Sequence, residues 1–371
     1  MKTSVQIGTL LDIPIRIHFT FLFILALFAW VFSIETVTIY GFTIGFGDFA
    51  ISLGFKALAG VIAAILLFAC VLLHELGHSY VTQNFGHKIN RITLFVFGGS
   101  SESEDIPKKP NKEFRIALAG PLVSIILGLS FYLIYYLTRL LDGNVIISIF
   151  STMFGTLSFY NLLLAGFNLI PAFPIDGGRL LRAAFATRMD YQKATKTAAN
   201  IGKGVAVAMA IFGIFYNIWL VLIAIFIFFG ASQEQKTTEI SNVLEGKRIQ
   251  DIMKRKIDSV SPEASLNKAY ESMEENRQFT FPVIQNNELI GIITPDDLKT
   301  VDKDKWDSVQ VREIMSENVS TVSPEEDAFS VFKKIMKEKT DRIFVEDKNE
   351  LVGMISRNDL IKAIKFYEAS K

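Results

Sequence analysis

With a single cysteine, Cys70, the chain can form no intrachain disulfide and no metal site built from several thiolates. It also lacks an excess charge of either sign. Lys and Arg balance Asp and Glu, so nothing points to a nucleic-acid partner. Histidine is scarce, and of the four only His74 and His78 stand at a spacing that lets two side chains reach one ion. His18 and His87 have no partner at metal spacing and are expected to be structural or interfacial. Between Arg16 and Lys56 there is no Lys or Arg, although Glu35 and Asp48 are present. The N-terminal stretch lacks the small-residue cleavage site of a signal peptide, so the first apolar segment is expected to remain as an anchor. Apolar residues, by contrast, are abundant. Half the chain is hydrophobic, and the charges cluster so that the last third, from about Gly246, reads like a soluble protein.

Apolar stretches of spanning length lie at residues 19–34, 58–81, 116–137, 145–170 and 201–230. The last is too long for one span and breaks naturally at Tyr216-Asn217, giving six spans. Orientation follows from the cations. The loop without Lys or Arg is expected to face outward. The segments carrying Lys88, Arg91, Lys108, Lys109, Lys112 and Arg115, and then Arg179, Arg182, Arg188, Lys193, Lys196 and Lys203, are expected in the cytoplasm. Both termini and the soluble third then lie inside.

The second span contains His74-Glu75-Leu76-Gly77-His78. Ionisable side chains are costly within a bilayer, so three together call for a purpose. On a helix, residues i and i+4 share a face, so both imidazoles can hold a single metal. Glu75 is placed between them to act on water. This spacing reads as a zinc peptidase with its site in the membrane. His74 lies about 16 residues from the outer end of its span, or roughly 24 Å, which puts the metal toward the cytoplasmic third of a ~30 Å core.

A catalytic zinc takes three protein ligands. No second His pair and no H-x-x-G-x-x-H continuation exists, so a carboxylate at matching depth is required. Asp176 meets that condition at the end of Asn168-Leu-Ile-Pro171-Ala-Phe-Pro174-Ile-Asp176-Gly177-Gly178. There Pro171 and Pro174 are expected to end the fourth span, and the two glycines to allow a tight bend. The other reading of Asp176 is a helix-capping residue at an interfacial turn.

H-E-x-G-H in one span and N-x-x-P-x-x-P-x-D-G-G in another resemble the site-2 protease family of intramembrane zinc metalloproteases. Leu118-Ala119-Gly120-Pro121 and Phe97-Gly98-Gly99 are similar to further elements of that family. The resemblance covers roughly residues 1–230. It implies His74, His78 and Asp176 as zinc ligands and Glu75 as general base, with Asn168 holding the substrate or the developing oxyanion. Residues 88–104 alternate Ile, Thr and Phe and read as strand. The resemblance implies a membrane-associated β element there that receives substrate in extended form; a plain cytoplasmic hairpin is the alternative.

The last third repeats at an offset of 62 residues: Ile249-Gln-Asp-Ile-Met253 matches Val311-Arg-Glu-Ile-Met315, and the segment from Leu289 to Leu298 matches that from Leu351 to Leu360. Each unit reads as a short strand, a helix (266–275; 328–338), two strands (281–284 and 289–293; 342–345 and 351–355) and a final helix. The pair resembles tandem CBS modules. That resemblance implies an adenine nucleotide contacted by Thr294, Asp297, Ser356 and Asp359, although these Asp residues also suit helix N-termini and many such pairs only dimerise.

The expected architecture is therefore a polytopic α-helical membrane protein of about six transmembrane helices with a small membrane-associated β element, plus a soluble α+β tandem CBS domain. Its parts are a metalloprotease domain at 1–230, a short polar linker at 231–246, which should keep the CBS pair near the active-site mouth, and CBS modules at 247–309 and 310–371. The expected activity is hydrolysis of peptide bonds within or near transmembrane segments of membrane proteins, modulated by nucleotide and located in a prokaryotic plasma membrane, with a homo-oligomer through the CBS pair as a further expectation. The rivals are a CBS-regulated metal transporter and a catalytically inactive protease-like binding protein.

Overall fold

The chain opens with strands rather than with its first membrane helix. In the computed structural model, β1 (Ser4–Leu10) and β2 (Ile13–His18) form an antiparallel hairpin. Leu11 and Asp12 turn it, both at positive φ, which is the conformation that matches the twist of two adjoining strands. The residues described are 4–96, 98–103, 109–141, 144–255, 257–276, 279–286, 288–338, 340–348 and 350–369; Phe97, Glu104 and Lys108 of the sequence reading lie outside them. Strand β2 pairs in parallel with β5 (Ile89–Phe95), which pairs antiparallel with β6 (Gly98–Ser103). The sheet order is β1-β2-β5-β6, so β6 is an edge. Ile13, Ile15, Ile89 and Ile92 are buried against Leu72 and Leu76, which fixes this sheet to one helix. The strand expected over 88–104 is thus present as a hairpin, but two N-terminal strands join it.

That helix is α2 (Leu53–Asn84). Before it come α1 (Phe19–Ile34), with His18 accepting a hydrogen bond from the Thr20 backbone as its N-cap, and a hairpin of β3 (Val37–Ile39) and β4 (Phe42–Ile44). After it come α3 (Pro110–Arg139), α4 (Val145–Asn168), α5 (Asp176–Ala186), α6 (Tyr191–Tyr216) and α7 (Ile218–Leu244). Among the described residues five helices, α2, α3, α4, α6 and α7, are long and apolar enough to cross a membrane; α1, at 16 residues, is a shorter apolar helix. The break expected at Tyr216-Asn217 separates α6 from α7, with Asn217 accepting from the Trp219 backbone.

One expectation about connections needs correction. Gly177 and Gly178 do not make a bend but form the first turn of α5. Their lack of a side chain lets this turn lie directly on the backbone of Leu169–Phe173, where any Cβ would collide. The short polar linker expected at 231–246 is helical for most of its length, because α7 continues through it to Leu244. Its Gln, Glu, Lys and Ser residues are compatible with helix, and their polarity records a change of solvent rather than of secondary structure.

The chain divides into two compact units, Met1–Lys236 and Thr237–Lys371. In the second, α8 (Leu266–Asn276), β7 (Phe281–Gln285), β8 (Glu288–Ile293) and α9 (Pro295–Leu298) make one repeat. The other consists of β9 (Thr321–Val322), α10 (Ala328–Glu338), β10 (Arg342–Asp347), β11 (Glu350–Ser356) and α11 (Arg357–Ala369). The leading segments are exchanged. Ile249 is buried in the core of the second repeat, and its equivalent Val311 in that of the first. Ile249 and Gln250 donate to the carbonyls of Glu326 and Pro324, while Val311 and Arg312 donate to those of Ala264 and Pro262. Lys254 bridges to Met354 on β11, and Ser316 to Ile292 on β8. Gly291 and Gly353 are glycine because Met315 and Met253 of these exchanged segments pass against them.

Candidate metal centre

Helical spacing brings His74 and His78 to one face of α2, and both are buried. Each ring is oriented from α3. The Nδ1 of His78 is 2.7 Å from the Ile116 carbonyl oxygen, which can only accept, so that nitrogen carries a proton and in the neutral ring Nε2 is the one that offers a lone pair. The Nδ1 of His74 is 2.9 Å from the Ser124 hydroxyl. The two Nε2 atoms lie 3.2 Å apart. Asp176, the first residue of α5, brings Oδ2 to 3.0 Å from Nε2 of His78 and 3.4 Å from Nε2 of His74.

Two imidazole lone pairs and a carboxylate oxygen thus converge, all within 4.8 Å of one another. Such a set repels itself unless a cation sits among its members. Two nitrogens and one oxygen make the donor combination of a three-ligand zinc site, so the residues fit that ion. Behind them α3 approaches closely at Gly120, where a Cβ would meet the Nε2 atoms of both histidines. Because the Ser124 hydroxyl fixes the ring of His74, Ser124→Ala is expected to weaken metal binding by about 10- to 100-fold without unfolding the protein. Competition against a chromophoric chelator measures this.

Glu75 lies between the histidines and lines a cavity of about 510 Å³ together with His74, His78, Asp176, Asn168 and Arg179. Its side chain rests on Gly99 at the start of β6, where no Cβ could be accommodated. Apolar walls come from Leu164 and Phe167 of α4 and Phe226 of α7, while Ser100 and Ser101 of the edge strand β6 also line the cavity. Asn168 ends α4, and its amide donates to the Leu164 carbonyl at 3.1 Å, which occupies one of its two N–H groups. Arg179 is 3.9 Å from Oδ1 of Asp176.

The remaining candidates form two capping boxes in the second unit. Oδ2 of Asp297 accepts from the Thr294 backbone and hydroxyl at 2.8 and 2.7 Å, and Oδ2 of Asp359 accepts from those of Ser356 at 3.1 and 2.5 Å. The two boxes differ. Lys254 lies 3.1 Å from Oδ1 of Asp359, whereas the residue at the matching position of the other repeat is Ser316. Burial raises the pKa of Asp359, but the Ser356 hydroxyl and the Lys254 ammonium outweigh it and hold the carboxyl below the usual carboxylate range. Ser124, the Ile116 carbonyl and the packing roles of Gly99 and Gly120 went unread in the sequence, because each depends on the α2–α3 or α2–β6 contact rather than on local spacing.

The model of peptidase family M50 matches residues 62–212, and the CBS domain model matches 249–304 and 311–366. The zinc metalloprotease MJ0392 of Methanocaldococcus jannaschii is 36% identical over 369 residues, which is 99% of this chain and 98% of that one. The chain belongs to peptidase family M50. It is a multi-pass membrane zinc metalloprotease of the site-2 type with a C-terminal pair of CBS domains. A putative zinc metalloprotease, sll0528 of Synechocystis, is 28% identical over 98% of this chain and 96% of its own. Among solved structures, the site-2 protease from Methanocaldococcus jannaschii is 40% identical and covers 62% of this chain and 95% of that one, with a TM-score of 0.43. The matched residues include His74, Glu75, His78 and Asp176.

Proposed function

We propose that this M50 peptidase holds one zinc ion on His74, His78 and Asp176, and hydrolyses peptide bonds within or near the transmembrane segments of other membrane proteins. The observation that carries the reading is the convergence of the part-buried Asp176 carboxylate on two buried imidazoles of a helix of membrane-spanning length, beside a sheet edge. A helical substrate hides its peptide groups in internal hydrogen bonds and must unwind to be cut. The edge of β6 offers backbone partners to the strand so released, along the cavity that Glu75 lines. When bound, zinc supplies Lewis-acid polarisation of the scissile carbonyl and acidifies a water. Glu75 takes the proton from the attacking water and returns it to the leaving amine. Asn168 is assigned to the substrate or the developing oxyanion through its second amide N–H. The test is cleavage of a transmembrane reporter by purified protein, abolished by chelation and restored by zinc alone. A metal-independent cut, or none after reloading, sinks the reading.

The distribution of Lys and Arg supports cytoplasmic termini and a cytoplasmic CBS pair in the plasma membrane. We further assign an adenine nucleotide to that pair, through Thr294, Asp297, Ser356 and Asp359, with assembly of a homo-oligomer through the same unit. The asymmetry between the two boxes supports unequal sites: Lys254 adds a cation beside Asp359 that the other repeat lacks. Calorimetric titration with ATP is expected to give binding that Asp359→Ala weakens more than Asp297→Ala. Equal loss from both variants, or no heat with the wild type, counts against it.

A further inference from the structure

Outside the metal centre and its cavity, the described residues of the first unit include a buried charge cluster that the chemistry above does not use. Arg182 of α5 is 6% exposed. Its Nε donates to Oε1 of Glu113 at 2.8 Å, its Nη2 bonds the same carboxylate, and its Nη1 bonds Glu234 of α7. The guanidinium also lies over the rings of Phe173 and Tyr191, at 4.9 and 5.0 Å. Glu113 is 2% exposed, whereas the Glu234 side chain is 37% exposed. A planar fork held by two carboxylates and two rings tolerates little displacement, because any shift leaves a buried charge without its partner.

The placement of these partners gives the cluster its meaning. Asp176 and Arg182 share α5, an 11-residue helix, so whatever fixes Arg182 fixes the carboxylate at the helix start. Glu113 lies in the first turn of α3, the helix whose Gly120 and Ser124 back the two histidines. The bond to Glu113 therefore ties the element carrying the third acceptor to the element that orients the first two. Glu234 is the more accessible arm. It belongs to α7, whose last residues, Val243 and Leu244, are buried in the core of the CBS unit.

We propose that Arg182 is a positioning residue that seats Asp176 on the histidine pair, and that its Glu234 arm makes this seating responsive to displacement of α7. The inference rests on the reading of Asp176 as a zinc ligand. A displacement that loosens Glu234 frees one side of the fork, lets α5 shift and opens the donor set. The fork closes again when α7 returns. Full-length Glu234→Gln, Glu234→Asp and Arg182→Lys provide the test, with Asp176→Asn as a reference. Three quantities are read: zinc affinity by chelator competition, hydrogen exchange over 176–186 in the metal-free protein, and kcat and KM per bound zinc.

Glu234→Gln is expected to weaken zinc binding by about tenfold. It should also raise exchange over 176–186 in the metal-free protein and lower kcat at unchanged KM. Glu234→Asp should restore most of each. A cluster that merely stabilises the fold would lower the melting temperature and leave zinc affinity and kcat per zinc untouched, and that outcome overturns the proposal. If Asp176→Asn loses zinc while Glu234→Gln and Arg182→Lys hold it as the wild type does, this inference alone fails. If Asp176→Asn retains zinc, the ligand reading fails and takes the inference with it.

Discussion

Glu75→Gln is expected to abolish cleavage of a transmembrane reporter while leaving zinc in place. Gln matches Glu in volume, so the packing of this side chain on Gly99 and the cavity it lines are preserved. What it loses is the ability to take a proton from water and hand it to the leaving amine. General-base catalysis of this kind contributes about 10²- to 10⁴-fold, and the full loss should appear in kcat, with substrate affinity little changed. Zinc content distinguishes the possible failures. A variant that still holds metal and does not cut places Glu75 in the chemistry. A variant that loses metal places it among the ligands instead. Equal cleavage by variant and wild type would assign the observed activity to a contaminant.

Gly120→Ala should be at least as damaging, although Gly120 touches no substrate. A methyl group there would lie 2.6 Å from Nε2 of His74 and closer still to that of His78, in the space where the three acceptors meet. The histidines cannot yield, since each Nδ1 is held from α3 by Ser124 or the Ile116 carbonyl. The expected result is a protein without zinc and without activity. The metal-free form should also lose stability, by about 1–3 kcal/mol for an overpacked core, so metal content is read on the folded fraction. Gly204→Ala on α6, where a Cβ meets nothing within 4 Å, is the matched control and should retain both metal and activity. Metal analysis of the two purified variants decides the matter, and retention of zinc by Gly120→Ala would remove the steric account.

These expectations draw on parts of the molecule that were not equally legible in the sequence. The pairing of His74 with His78 is a matter of helical period, and the approach of Asp176 followed from matching depth across two spans. The six apolar helices and the break at Asn217 were equally local signals. The N-terminal hairpin was not read. Ile13, Ile15 and Ile17 alternate with Pro14, Arg16 and His18, but the turn at Leu11-Asp12 lacks the glycine that usually marks such a hairpin. In addition, β2 finds its parallel partner in β5, far along the chain. The Gly177-Gly178 pair was misjudged because adjacent glycines suit both a bend and a close helix contact, and only the backbone of Leu169–Phe173 beneath them distinguishes the two. Arg182 looked like one more cytoplasmic cation. Its partners, Glu113 and Glu234, lie on two other helices.

The exchange of leading segments in the second unit has a consequence for its boundaries. Each repeat contributes a stretch of backbone that completes the hydrophobic interior of the other, through Ile249 in one direction and Val311 in the other. A cut between the repeats therefore does not yield two smaller folded modules. It removes a buried residue and a set of backbone hydrogen bonds from both halves at once. The pair is therefore expected to unfold as one cooperative body, with the end of α7, Val243 and Leu244, belonging to the same core.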